Sequence, residues 1–211
     1  MGANGRLFER LHIAGVHFEV VMPIIPTYQE PLGSYINRFL ECFPADVSIW
    51  ILGQSFGGML GQEIAKVRPD TNLIITNSFQ NNQGLSKVIQ WVGNKPDLVN
   101  LIPAKLLNNP KLQIPALHGS TSKADDALVA EMLASQDPEY LRWAIWSLLQ
   151  WKPKVKAPIR LILEGSADYV TPPTKAPGTI QINGGGHIMA FTHAKEVSEA
   201  IQKYLEIALG W

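Results

Sequence analysis

The sequence predicts an α/β fold with a mostly parallel sheet flanked by helices. Short apolar runs rich in β-branched residues alternate along the chain with segments whose apolar residues recur at helical spacing. That alternation is typical of parallel strands joined by crossover helices. The chain has 211 residues and is 46% hydrophobic, which is enough for one sizeable domain with its own core.

Composition narrows the class of partner. Lys plus Arg and Asp plus Glu number 18 each, so no global basic field attracts nucleic acid or an anionic membrane. The single cysteine, Cys42, cannot form an internal disulfide, and no apolar run is long enough to cross a bilayer. The first residues lack the apolar core of a signal peptide. We therefore expect a cytoplasmic protein with a small-molecule partner, and a homo-oligomer is allowed.

The first part of the chain predicts helix and strand in turn. Leu7–Ile13 has apolar residues on one helical face, and Val16–Met22 is β-branched enough for a buried strand. Glu30–Phe43 predicts a helix, and the apolar run Val47–Leu52 predicts the next buried strand.

The region of about 79–153 interrupts this rhythm. A helix after Val47–Leu52 and a strand at Asn72–Thr76 precede it. The region carries helical patterns and several tryptophans, and it predicts a helical insertion that caps a pocket within a single domain spanning 1–211. Tryptophans that only build core are the alternative. After the insertion the alternation resumes with two strands and a closing helix, at Ile159–Leu163, Thr179–Ile182 and Thr192–Leu209.

One motif stands where the strand Val47–Leu52 ends. Gly53-Gln54-Ser55-Phe56-Gly57 has the spacing G-x-S-x-G, and it lies between a predicted strand and a predicted helix, as a nucleophile elbow does. Such a turn strains its central residue, so we expect neighbouring positions to tolerate little beyond glycine. The alternative is that Ser55 is the N-cap of an ordinary helix.

Two further side chains lie at the ends of predicted strands. Asp168 follows Ile159–Leu163, and His187 follows Thr179–Ile182. A serine hydroxyl needs an adjacent base, and the base needs an orienting group. The carboxyl ends of parallel strands meet at one edge, so Ser55, Asp168 and His187 can converge. We interpret His193 as a surface or capping residue of the last helix, and His118 as part of the insertion.

Together these segments resemble the α/β-hydrolase family, along nearly the whole chain. Ile162–Asp168, with Pro172 beyond it, resembles the segment that delivers the acid, although Glu164 stands where the family usually has a non-catalytic histidine. Gly185-Gly186-His187 resembles the segment that delivers the base, and Met1–Phe8 is similar to the glycine-rich oxyanion loop. The resemblance implies an α/β-hydrolase-like fold that is N-terminally shortened, because the central strand that precedes this loop in the family is missing.

The resemblance also implies a chemistry, namely acyl transfer to Ser55 from a small ester or thioester. His187 would act as general base and Asp168 would orient it. The oxyanion donors would be the amide of Phe56 and the loop at Met1 and Gly2. No cofactor or metal is expected. Residues expected near the substrate are Gln54, Phe79, Trp91, Trp146 and Met189.

The alternative function belongs to another class. The absent central strand would suit a catalytically impaired hydrolase-fold protein that binds a ligand or a partner.

Overall fold

The structure is a computed structural model, and it describes residues 5–80, 96–107, 109, 123–153, 156–174 and 176–210. The predicted helix within 85–92, together with Met1, Gly2, Trp91 and His118, lies outside these residues. The described helices are α1 Leu32–Leu40, α2 Phe56–Val67, α3 Ala104–Leu107, α4 Lys123–Ala134, α5 Pro138–Gln150, α6 Met189–Thr192 and α7 Ala194–Leu209, with 3₁₀ turns at Gly5–Phe8 and Pro96–Leu101.

The described strands form one parallel sheet, which confirms the predicted fold class. Its order is β1-β2-β3-β4, for Ile49–Gln54, Thr71–Thr76, Ile159–Gly165 and Thr179–Ile182. Each neighbouring pair is parallel. The carboxyl ends of the four strands therefore meet at one edge of the sheet.

Different helices pack against the two faces of the sheet. Alternate residues of β2 point to opposite sides, because side chains in a strand have a period of two. Leu73 and Ile75 pack with Ala65 of α2, whereas Ile74 packs with Val197 and Ile201 of α7. The result is a three-layer α/β/α arrangement. None of the described helices is long and apolar enough to cross a membrane.

The predicted strand at Val16–Met22 is wrong. This segment has no strand hydrogen bonding, and it does not join the sheet. Val16 and Phe18 instead pack, partly buried, against the cluster formed by β2, β3 and α7. β-Propensity measures fit to a pleated surface and does not guarantee a partner strand. Val16 and Phe18 are thus partly buried without a ladder, while Val20 and Met22 are exposed.

The predicted helix at Leu7–Ile13 is also wrong beyond its first residues, since the 3₁₀ turn ends at Phe8. The amide of His12 donates to Ser198 Oγ at 2.9 Å, and that of Ala14 donates to Gln202 Oε1 at 2.8 Å. Side chains of α7 thus take the backbone donors that a helix would use internally.

Candidate active site

Ser55 occupies the turn between β1 and α2 in a strained conformation, with φ 54° and ψ −121°. A non-glycine residue with positive φ is uncommon and persists only where its surroundings hold it. Here the Ser55 amide donates to Thr76 O at 3.1 Å, and Ser55 O accepts from Ser78 Oγ at 2.8 Å. The turn is therefore fixed to the end of β2. Although Ser55 takes the N-cap position, its side chain makes no capping bond, unlike an ordinary N-cap serine.

Close backbone contact explains one glycine of the motif and leaves the other unexplained. A Cβ placed on Gly53 would lie 2.6 Å from Gly57 O and 2.7 Å from Gly58 Cα, both backbone atoms that cannot move aside. A Cβ on Gly57 would meet nothing within 4 Å. The expectation that both positions demand glycine holds sterically at Gly53 and is wrong at Gly57.

His187 lies between Ser55 and Asp168. Its Nε2 is 2.9 Å from Ser55 Oγ, and its Nδ1 is 2.8 Å from Asp168 Oδ2. Because an ionised carboxylate only accepts hydrogen bonds, Nδ1 carries the proton in the neutral ring and Nε2 is left to accept from the serine hydroxyl. The three predicted side chains thus form one hydrogen-bonded chain, and the His187 and Asp168 side chains are 6% and 0% exposed.

Asp168 is held as an acceptor from several sides. Its Oδ1 accepts from the amides of Val170 at 2.8 Å and Thr171 at 2.9 Å, and its Oδ2 also accepts from Thr171 Oγ1 at 2.5 Å. Burial opposes the ionised form, but the hydrogen bonds and charge of His187 and the bonds from Thr171 outweigh it, so the pKa of Asp168 is lowered. The carboxylate therefore stays ionised beside His187 at neutral pH.

The segments that carry Asp168 and His187 are also joined through their backbones. Ala167 N donates to Gly185 O at 2.9 Å, directly before Asp168 in the chain. A Cβ on Gly165 would lie only 2.2 Å from Gly185 O, so the close approach of the two loops requires glycine there.

Two buried amide side chains hold the backbone beside His187. Gln54 Nε2 donates to His187 O at 2.7 Å. Asn77 Nδ2 donates to Gly186 O at 2.6 Å and to His187 O at 3.0 Å, while Asn77 Oδ1 accepts from Gly165 N at 2.7 Å. Asn77 is not among the site residues predicted from the sequence. The only signal was its place directly after β2, at the edge where the other site residues lie.

The residues expected near the substrate occupy several environments. Phe79 and Met189 are buried in apolar clusters, and Gln54 is buried with its amide on His187 O. Trp146, partly buried, lines a cavity of about 350 Å³ beside Tyr28 and Trp143.

The Phe56 amide, predicted as an oxyanion donor, is in the first turn of α2, where helix amides have no intrahelical acceptor. Trp91, Met1 and Gly2 are outside the described residues.

No group of three or more His, Cys, Asp or Glu side chains suited to a metal ion occurs in the described part of the chain.

Known structures share this architecture. A thermophilic esterase from Thermogutta terrifontis superposes with a TM-score of 0.67 at 16% identity, over 97% of this chain and 86% of that one. A hydrolase from Pseudomonas aeruginosa PA01 gives 0.60 at 19% identity, over 90% of this chain and 76% of that one. An α/β hydrolase enzyme from a Medee basin deep-sea metagenome library gives 0.56 at 17% identity, over 82% of this chain and 70% of that one.

No protein-family model matches the chain, and no curated protein matches it significantly. Identities of this size are evidence for shared architecture only. The parallel sheet, its strand order and the structural neighbours together show that the chain has the α/β-hydrolase fold.

Proposed function

We propose that this protein is a serine hydrolase that cleaves a small ester or thioester through an acyl-enzyme on Ser55. The observation that carries the proposal is the hydrogen-bonded chain from Ser55 Oγ to His187 Nε2, at 2.9 Å, and from His187 Nδ1 to Asp168 Oδ2, at 2.8 Å. A strained serine beside a base that is itself oriented by a buried carboxylate is the arrangement that nucleophilic acyl transfer requires.

In the first half-reaction Ser55 Oγ attacks the carbonyl carbon of the substrate while His187 Nε2 takes the hydroxyl proton. The tetrahedral intermediate then collapses, the bond from carbon to the leaving oxygen or sulfur breaks, and His187 returns the proton to the departing alcohol or thiol. Asp168 keeps Nδ1 protonated and stabilises the imidazolium that forms in between. Its lowered pKa suits this role, because the carboxylate must remain ionised throughout.

In the second half-reaction water replaces the leaving group. His187 takes a proton from water, the oxygen attacks the acyl carbon, and Ser55 Oγ leaves with the proton that His187 returns. The Phe56 amide would donate to the oxyanion in both steps, helped by its place at the N-terminus of α2. The second donor would come from Met1 and Gly2.

The helical insertion at about 79–153 would cap the acyl group. Support comes from α5, whose Trp143 ring packs edge-on against the ring of Phe56, the residue after Ser55, with 5.9 Å between the ring centroids.

Turnover of p-nitrophenyl esters and acyl thioesters of increasing chain length tests the proposal. Wild type should hydrolyse at least one series, and Ser55→Ala should lose at least about 10⁴-fold in kcat. Ser48→Ala is the matched control, since Ser48 is an exposed serine whose Oγ donates to Asp70 O and accepts from Asn72 Nδ2, away from the site. Folded wild type without turnover on either series would contradict the proposal, and would favour a hydrolase-fold protein that only binds.

A further inference from the structure

We infer that Gln54 and Asn77 are positioning residues for His187, acting through its backbone carbonyl. The inference rests on the proposed function, in which His187 is the base, and adds the two side chains that set the location of its imidazole. Neither amide reaches Ser55 Oγ or the imidazole nitrogens among the hydrogen bonds of the site.

Gln54 connects the nucleophile to the base through the chain itself. It precedes Ser55 directly, and its Nε2 donates to His187 O at 2.7 Å. At the other end of the same amide, Gln54 Oε1 accepts a longer hydrogen bond, of 3.4 Å, from Thr76 Oγ1. The position of Ser55 relative to His187 is thus set by one short side chain as well as by the bond at Nε2.

Asn77 connects the base to the strand that leads to the acid. Its Nδ2 donates to both Gly186 O and His187 O, its Oδ1 accepts from Gly165 N, and its own amide donates to Leu163 O at 2.9 Å. Asn77 is 1% exposed and has φ 43°, a left-handed conformation that asparagine tolerates better than most residues. Both polar atoms of the Asn77 side chain are therefore hydrogen-bonded to backbone atoms, at Gly165 and in the loop that carries His187.

The two amides bind the same carbonyl oxygen from the ends of two different strands. The ends of β1, β2 and β3 are thereby tied to the loop that follows β4, which is the loop that has to place the imidazole. Buried hydrogen bonds of this kind fix geometry because leaving a partner unsatisfied is costly. A displacement of about 1 Å at a catalytic group can lower the rate about 10²-fold, so loosening this carbonyl should act on the rate of reaction.

The principal test is Gln54→Met, which keeps the length of the side chain and removes the donor. We expect kcat to fall about 10- to 100-fold with KM within about twofold of wild type. Gln62→Met is the matched control. Gln62 is likewise a buried glutamine, 2% exposed, but its Nε2 donates to Gly58 O at 3.2 Å and Phe79 O at 2.8 Å. It should lose comparable stability and keep kcat within about twofold of wild type.

A second readout does not need turnover. The low-field proton NMR signal of His187 Nδ1–H, bonded to Asp168, should be present in wild type and Gln62→Met. It should shift or broaden in Gln54→Met and in Asn77→Ala. If Asn77→Ala does not fold, Gln54→Met still decides the matter.

The outcomes separate the two proposals. An active wild type with unchanged kcat and an unchanged His187 signal in Gln54→Met would overturn the positioning role and leave the hydrolase intact. An equal fall of kcat in Gln54→Met and Gln62→Met would also overturn it, since the effect would then be general destabilisation. A wild type without turnover would remove the hydrolase proposal, and the NMR comparison alone would then decide whether these amides position His187.

Discussion

Two adjacent residues after β1, Ser55 and Phe56, belong to two different regions, which are the polar edge of the sheet and an aromatic cluster beside it. The polar edge consists of Gln54, Ser55, Asn77, Asp168 and His187, joined by hydrogen bonds of 2.7 to 3.0 Å. Phe56, which directly follows Ser55 in the chain, is buried in an apolar cluster instead.

The aromatic cluster consists of Tyr35, Phe56, Tyr140 and Trp143. The Phe56 ring lies edge-on to Trp143, with 5.9 Å between centroids and an interplanar angle of 90°, and Tyr35 lies 4.1 Å from Trp143. Burial raises the pKa of both tyrosines, as expected for phenols taken out of water.

The two regions differ in the interaction that holds them together, which is directional hydrogen bonding at the polar edge and apolar packing in the aromatic cluster. The polar edge depends on direction, so the loss of one donor or acceptor alters geometry at nearly constant volume. The aromatic cluster depends on area and packing, so a lost ring leaves a cavity. Substitutions at the polar edge should therefore mainly lower activity, and substitutions in the aromatic cluster should mainly lower stability.

Asp168→Asn is expected to show the largest difference between a loss of activity and a loss of stability. The substitution keeps the volume but removes the carboxylate that orients His187, and it should lower kcat about 10⁴-fold, equivalent to about 5.5 kcal/mol. Asp46→Asn is the control, because Asp46 is exposed and its φ of 55° suits asparagine. Steady-state hydrolysis and circular dichroism on both variants check this. A loss below tenfold in folded Asp168→Asn would contradict the role of the carboxylate.

Trp143→Ala should show the opposite behaviour. Trp143 is 5% exposed, and its Nε1 donates to Glu30 O at 2.8 Å. Truncating a buried aromatic residue to alanine typically costs about 3–5 kcal/mol. Urea unfolding should show that loss, whereas kcat per folded molecule should stay within about tenfold of wild type. Trp146→Ala, at a partly buried position, should lose less. A Trp143→Ala protein that is stable but inactive would erase the contrast between the two regions.

The smallest effect, on the free energy of unfolding, is expected in the turn Gly53–Gly57 between the polar edge and the aromatic cluster. Gly53→Ala forces a methyl group against the backbone of Gly57 and Gly58 and should cost about 1–3 kcal/mol. Gly57→Ala meets open space and should be neutral or stabilising by up to about 1 kcal/mol, through the helix propensity of alanine. Chemical denaturation of the pair measures both. Equal losses would mean that the turn demands glycine for a reason other than contact.

Sequence patterns predicted the four described strands from short apolar or β-branched runs, and the inner strand β2 is buried on both faces, as such a run indicates. The strand at Thr179–Ile182 was predicted at its observed bounds, and Ile159–Leu163 falls short of β3 by two residues. Parallel strands bring their carboxyl ends together whatever the loops do. The proximity of Ser55, Asp168 and His187 therefore followed from topology, while their roles stay a prediction.

Contacts between distant segments could not be predicted in this way. Asn77 bonds to Gly165, Gly186 and His187, which are 88 to 110 residues away in the chain, and no local spacing announces such a link. Val16–Met22 has the composition of a strand but pairs with none of the described strands, because composition alone does not decide whether a segment joins a sheet. The closing helix, predicted over about Thr192–Leu209, is observed as α7 over Ala194–Leu209, whereas the short helix α6 before it was not predicted.

The most direct test of the central claim is covalent labelling of Ser55. Wild type treated with a fluorophosphonate, digested and analysed by mass spectrometry should carry one adduct, on the peptide containing Gly53-Gln54-Ser55-Phe56-Gly57. The adduct should be absent from Ser55→Ala and should form much more slowly in His187→Ala, because the serine then lacks its base. An unmodified but folded wild type, or an adduct that persists in Ser55→Ala, would contradict the assignment of Ser55 as the nucleophile.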